Sequence, residues 1–298
     1  MTTRFSLLRR KLLAAVVLAP GATLPSLPAF AAPVGAQPAT EAVKRLEQRT
    51  GGRLGLALLD AQGSTLLEHR ADERFPFCST FKMMLTACIL RRNAADASLM
   101  SRHIDFDKRV LVGHSPVVEK HVGQGMSVDE LCAATMEYSD NAAANLLLDL
   151  IGGPAALTTF ARGIGDEKFL LVRRETELGS AIPGDERDTT TPQAMAQSLQ
   201  RLILGDALPA PQRDQLLRWM RANQTGAKRI RAGLPSDWLV ADKTGSGDYG
   251  TTNDIAVLDR PGKTPLVLVI YFTQKQKDAP LRDEVLAAAA KIVAANFP

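Results

Sequence analysis

The chain has 298 residues, 36 Lys+Arg against 32 Asp+Glu, and a formal net charge of +4. That length suits one large domain or two modest ones. Hydrophobic residues make up 45% and charged residues 23%, which excludes a disordered, collagen-like or membrane-bundle chain. Three cysteines are too few to staple a disulfide scaffold.

The positive balance belongs to the first 31 residues. Arg4, Arg9, Arg10 and Lys11 precede the apolar run Leu12–Ala19, and a Pro- and Ala-rich stretch ends at Ala29-Phe30-Ala31. A basic start, a short apolar middle and small residues at the cut are the layout of a secretory signal. The apolar run is too short to span a bilayer. Cleavage is expected near Ala31, and Arg9-Arg10 allows twin-arginine as well as general export, so the mature chain is expected to be secreted or periplasmic. Removing residues 1–31 removes four cations and no acids, leaving 32 of each. No basic stripe remains for nucleic acid or an anionic membrane. The mature chain is read as a monomer acting on small molecules.

Residues 32–39 read as a flexible leader. Thr40 is placed to cap a helix over 41–49, stopped by Gly51-Gly52. Arg53–Asp60 and Ser64–His69 are strand-like runs forming a hairpin. From Ser79 to Leu217 the pattern turns helical. Phe81, Leu85, Cys88 and Ile89 share a face of a helix that starts near Ser79. Ser127 and Glu130 form a capping box, and Asn141–Leu150 is a further helix ended by Gly152-Gly153. Thr191-Pro192 opens another, with Met195, Leu199, Leu202 and Ile203 on one face. Beyond Pro235, Trp238–Asp242, Asp254–Leu258 and Leu266–Phe272 read as strands, and Ala279–Ala295 as a closing helix. These elements predict an α/β (α+β) fold. The two ends, 32–70 and 220–298, combine into one antiparallel five-stranded sheet with helices on both faces, and 71–219 forms an inserted all-helical domain. A cleft between them is where chemistry is expected.

Three short motifs carry that chemistry. In Ser79-Thr80-Phe81-Lys82 the lysine lies one helical turn from a serine that needs a base to become a nucleophile, and a helix start offers free N–H groups to an oxyanion. In Ser139-Asp140-Asn141 a serine and a carboxamide flank a turn into a helix. Lys243-Thr244-Gly245 ends a strand, where glycine lets a ligand lie against the edge. Each alone also reads as a helix cap or a charged edge strand. All three occur in order, each at the matching element.

This combination resembles the class A serine β-lactamases, relatives of the penicillin-binding proteins. The likeness runs from about residue 40 to the C-terminus and extends to Ser115-Pro116-Val117, Glu119-Lys120-His121 and Gly163-Ile164-Gly165-Asp166. The segment 243–254 looks most like the cefotaximase subgroup. The resemblance implies an enzyme that opens the lactam amide of penicillins and cephalosporins through an acyl-enzyme, conferring β-lactam resistance, and that needs no cofactor. Ser79 would attack, with its N–H and that of Ser246 holding the oxyanion. Ser139, bonded to Lys82 and Lys243, would protonate the leaving nitrogen. Asn141 would hold the acylamino side chain, and Lys243, Thr244, Gly245 and Ser246 the substrate carboxylate. Arg229 and Arg282 each match a position where some members keep a carboxylate-binding arginine, and His114 stands where an aromatic gates the cleft. Residues 173–188 match the omega loop, with Arg173 paired to Asp188 across its neck and Glu175 as the base on the deacylating water. Both Lys82 and Glu175 are candidates for taking the first proton. The histidines show no metal-ligand spacing, so no metal is expected.

Three departures from the family pattern stand out. Gly179 replaces an asparagine that helps hold the deacylating water, with Ser180 as a candidate substitute. Thr176 replaces the proline after Glu175, where the peptide bond is typically cis, so the bond either stays cis or goes trans and moves Glu175. Gly247 occupies the position that would pair with Cys78 in a disulfide, and Thr86 the partner position of Cys132, so all three cysteines are expected as free thiols, with a Cys88–Cys132 bridge as the alternative. Two other functions share the nucleophile: a D-alanyl-D-alanine peptidase and a β-lactam sensor that stays acylated. Glu175 and its loop argue for hydrolysis.

Overall fold

The computed structural model describes residues 36–298; the expected export signal lies outside them. Helix α1 (Ala36–Thr50) leads into β1 (Arg53–Leu59) and β2 (Thr65–His69). It starts four residues ahead of the expected Thr40 cap, so residues 36–39 are helix rather than leader. Pro38 falls in the first turn, where its missing N–H breaks no helical bond. A short strand β3 (Phe75–Pro76) precedes helix α2 (Phe81–Asn93); then come β4 (His103–Ile104), β5 (Met126–Ser127), α3 (Val128–Glu137), α4 (Asn141–Ile151) and α5 (Pro154–Gly163). Strand β6 (Thr189–Thr190), α6 (Pro192–Ile203) and α7 (Ala210–Arg221) complete the helical block. The chain ends with β7 (Leu239–Gly247), β8 (Thr251–Asp259), β9 (Leu266–Thr273) and α8 (Asp283–Asn296).

The capping signals act as read. Ser127 Oγ accepts from the Glu130 N–H while the Glu130 carboxylate accepts from the Ser127 N–H, and Thr191 Oγ1 accepts from Ala194 N. Gly152 closes α4 at φ 100°, a left-handed turn that glycine adopts without penalty. The closing helix begins at Asp283, later than expected, because a turn at Gln276–Ala279 and Pro280 come first.

The large sheet is antiparallel with order β2-β1-β9-β8-β7, which is the predicted five-stranded arrangement. Its central strands β1 and β9 read as near-continuous apolar runs because both of their faces are covered. Leu54, Leu56 and Leu58 of β1, with Leu268 and Ile270 of β9, bury against Val43 of α1 and Leu286 and Val293 of α8. The alternate residues Ala57, Leu59, Val269 and Tyr271 join the core of the helical block. Helix α2 departs from expectation. It is buried all round from Phe81 to Leu90, not along one face, since it runs through the centre of that core. Its buried Thr86 hydroxyl is bonded back to the Lys82 and Met83 carbonyls.

Candidate active site

Ser79 lies on a single 3-10 turn, Cys78–Thr80, ahead of α2 rather than in the helix. Cys78 is left-handed at φ 47°. The turn is held by Thr80, whose N–H and hydroxyl both donate to the Phe77 carbonyl. The Ser79 hydroxyl caps nothing; it donates to Glu175 Oε1 at 3.0 Å. One turn on, Lys82 is completely buried. Its Nζ lies 3.0 Å from the same Glu175 oxygen and donates to Ser139 O at 2.7 Å, Asn141 Oδ1 at 2.5 Å and Ser139 Oγ at 3.3 Å. Burial pushes the Lys82 ammonium below its ordinary range, and the adjacent Glu175 carboxylate opposes that.

Ser139 sits in the turn between α3 and α4, also left-handed at φ 57°. The next residue fixes that turn. Asp140, fully buried, caps α4 by accepting from Ala143 N, and its other oxygen accepts from the backbone of Val117 and Val118. The Ser-Pro-Val segment is thereby tied to the Ser-Asp-Asn turn. Asn141 donates to the Gly113 carbonyl at 2.6 Å. From the strand side, buried Lys243 donates to Ser139 Oγ at 3.0 Å and to Thr244 O at 2.9 Å. Burial and the nearby Lys82 charge depress Lys243 well below the usual lysine range.

Strand β7 runs through Lys243-Thr244-Gly245 instead of ending there, with Thr244 opposite Asp254 and Gly245 opposite Asn253. The absent Gly245 side chain accommodates the Cys78–Thr80 turn. A Cβ there would lie 2.7 Å from Phe77 O and 3.1 Å from Ser79 N. Thr244 and Thr225 share a hydroxyl hydrogen bond. Arg229 is 5% exposed and donates to Ser246 Oγ at 2.7 Å, to the Gly245 and Asn253 carbonyls, and to Asp283 Oδ1 at 2.8 Å. Arg282 is not brought to this cluster. It precedes α8, its N–H donates to Thr252 Oγ1 and its guanidinium is paired with Glu284. It is Asp283, the next residue, that reaches inward to Arg229.

The loop neck is built from Asp188, which accepts from Arg173 Nε at 2.5 Å and from the backbone of Val172 and Arg173. The Glu175–Thr176 peptide bond is cis. Asn145, one helical turn after Asn141, brackets Glu175 by donating to its carbonyl at 2.8 Å and accepting from its N–H at 3.1 Å. The sequence reading missed it, although its i+4 spacing from Asn141 puts both on one face. Ser180, the candidate substitute for the missing asparagine, is not among the residues lining the cleft, and its hydroxyl accepts from Arg173 at 2.9 Å. All three cysteines are free and buried.

A cleft of about 350 Å³ is lined by Ser79, His114, Ser139, Asn141, Glu175, Thr176, Gly179, Thr225, Arg229, Thr244, Gly245 and Ser246. His114 is an exposed wall whose ring is bonded to the Tyr138 carbonyl. A larger cavity of about 690 Å³ lies under the far side of the omega loop, between Ile182–Glu186 and Arg53. Ser79 opens into the smaller one, which also gathers Ser139, Glu175 and the Thr244–Ser246 edge.

Residues 38–297 match the model of the β-lactamase enzyme family. The chain is 54% identical over 248 residues to β-lactamase OXY-2 of Klebsiella oxytoca, covering 83% of this chain and 86% of that protein. It is 52% identical over 255 residues to β-lactamase Toho-1 of Escherichia coli, covering 86% and 88%. Among solved structures, an ancestral class A β-lactamase superposes with a TM-score of 0.84 at 55% identity, covering 87% of this chain and all (100%) of that one. A β-lactamase from Desulfarculus baarsii gives 0.85 at 54% identity, covering 87% and 97%. The chain therefore belongs to the β-lactamase enzyme family and is a class A β-lactamase, a hydrolase of β-lactam substrates.

Proposed function

We propose that Ser79 is the nucleophile of an acyl-enzyme cycle in which Glu175 acts as base in both half-reactions. The observation that carries this is the meeting of Ser79 Oγ and Lys82 Nζ on one Glu175 oxygen, each at 3.0 Å. The Ser79 proton passes to Glu175 as Oγ bonds to the lactam carbonyl carbon. The developing oxyanion is held by the N–H groups of Ser79 and Ser246. As the C–N bond breaks, Ser139 protonates the ring nitrogen and is resupplied by Lys82, which recovers its proton from Glu175. Lys82 suits this relay because its three N–H donors are surrounded only by acceptors, Ser139 O, Ser139 Oγ, Asn141 Oδ1 and Glu175 Oε1. Glu175, again a carboxylate, takes a proton from water, the hydroxide attacks the ester, and Ser79 leaves with its proton restored.

Lys243, Thr244, Ser246 and Arg229 bind the substrate carboxylate, Asn141 the acylamino side chain, and His114 forms a wall. Penicillins and, through the Ser246-Gly247 strand, oxyimino-cephalosporins are the proposed substrates. We further read residues 71–219 as a helical domain inserted in the sheet domain, and the mature protein as a monomer exported by cleavage near Ala31. The peptidase and sensor alternatives lack a use for a carboxylate bonded directly to the nucleophile.

A chromogenic cephalosporin tests the reading. Ser79→Ala is expected to give neither turnover nor adduct. Glu175→Ala is expected to slow ester hydrolysis by roughly 10²–10⁴-fold, the usual reach of a general base, and to accumulate acyl-enzyme. Glu175→Ala turning over at the parent rate would contradict it.

A further inference from the structure

The nucleophile turn has a second tether that the cycle above does not use. Asn253 in β8 is fully buried. It lies directly opposite Gly245, on the part of the sheet that meets the turn. Its Nδ2 donates to the Pro76 carbonyl at 2.7 Å and the Phe77 carbonyl at 3.2 Å. The Phe77 carbonyl thus receives three donors, the other two being the N–H and hydroxyl of Thr80. Three donors on one oxygen fix the plane of the peptide leading into Cys78. Left-handed backbone at a non-glycine residue persists where its surroundings over-determine it, and Cys78, at φ 47°, is the residue immediately before Ser79.

The same residue reaches the substrate-carboxylate side. Its backbone carbonyl accepts from Arg229 Nη1 at 2.7 Å, and Arg229 also donates to the Gly245 carbonyl and to Ser246 Oγ. The cross-strand pair Gly245–Asn253 therefore contacts the turn through the side chain of one member and the missing side chain of the other. Arg229 binds both of its carbonyls. The Asn253 Oδ1 has no protein partner, so the fold uses this amide for its donors alone.

Resting on Ser79 as nucleophile, we infer that Asn253 is a positioning residue, which sets the Ser79 hydroxyl against strand β7 for its attack in acylation. It touches no reacting atom. Misplacing a reacting group by about an ångström costs on the order of a hundredfold in rate. Removing the amide donors should therefore slow acylation while leaving the water step, organised by Glu175 and Asn145, unchanged.

The test uses Asn253→Leu and Asn253→Asp, both close in shape and without the amide donors. Acylation and deacylation are measured by rapid mixing with a chromogenic cephalosporin and normalised to the burst amplitude, which counts folded sites. The expected result is a fall in the acylation rate constant of roughly tenfold to a hundredfold, with the deacylation rate constant and the substrate dissociation constant within about twofold. Unchanged acylation per site, or equal falls in both steps, would overturn the inference. Failure of both variants to fold would overturn it as well, by assigning Asn253 to the fold alone. Absence of any burst in the parent enzyme would instead sink the nucleophile assignment.

Discussion

Gly179 lines the cleft where an amide was expected beside the deacylating water, and a Cβ built there meets nothing within 4 Å. Its φ is not left-handed, so a side chain can be added without strain. Gly179→Asn should therefore fold normally and offer the water a donor and an acceptor. A hydrogen bond worth about 0.5–1.5 kcal/mol corresponds to a change of roughly 2–10-fold, and it should appear in deacylation more than in acylation. Pre-steady-state rates showing the reverse would refute this. Lys243 makes a second residue-level prediction. Its ammonium is pushed well below the ordinary lysine range by burial and by Lys82. It is therefore cationic at low pH and loses its charge earlier than an ordinary lysine as pH rises. Since kcat/KM reports the free enzyme, kcat/KM for a penicillin should fall through that lowered pKa, and the fall should be smaller for its methyl ester. Identical profiles for acid and ester would remove Lys243 from carboxylate binding.

At the scale of elements, the omega loop depends on one buried carboxylate. Asp188 takes three donors across the neck, and its partner Arg173 has a side chain only 15% exposed. Breaking such a pair from one side typically costs about 3–5 kcal/mol. Asp188→Ala should lower Tm by several degrees, raise amide exchange across 172–188 and slow deacylation, because Glu175 rides on that segment. Unchanged exchange there would show that the neck does not hold the loop. The loop was legible in sequence as sixteen residues from Arg173 to Asp188 with little regular pattern, and the central strands were legible because apolar side chains cover both of their faces. Helix α2 was only half legible. Periodicity picks out Phe81, Leu85 and Ile89, but polar Lys82 and Thr86 are equally buried, and Lys82 is satisfied by partners more than fifty residues away. The Lys243-Thr244-Gly245 run looked like a strand end since its polar residues break the apolar pattern. Its ladder continues to Gly247 opposite Thr251.

For the molecule as a whole, the residues that gather in the cleft were readable from three motifs and a loop, whereas Asn145 and Asn253, which bond to the backbone beside them, were not singled out. Asn145 carries no motif of its own and Asn253 is one residue in the longer 243–254 likeness; their contacts lie thirty and more than a hundred and seventy residues away in sequence. Arg282 was named because it matches a position where some family members keep an arginine, yet its guanidinium is paired with Glu284 while Asp283, the next residue, reaches Arg229. Two strands from the start of the chain and three from the end enclose the helical block, so that Ser79, Ser139, Glu175 and Ser246 meet in one cleft. The claim on which all of this depends is that Ser79 is loaded and then promptly freed. Time-resolved intact-mass measurement of the parent enzyme mixed with a cephalosporin, with peptide mapping of the adduct, tests it most directly. A transient adduct on Ser79 that decays at the rate of turnover is the predicted result. A lasting one-equivalent adduct, an adduct elsewhere, or hydrolysis with no adduct even in Glu175→Ala would contradict it.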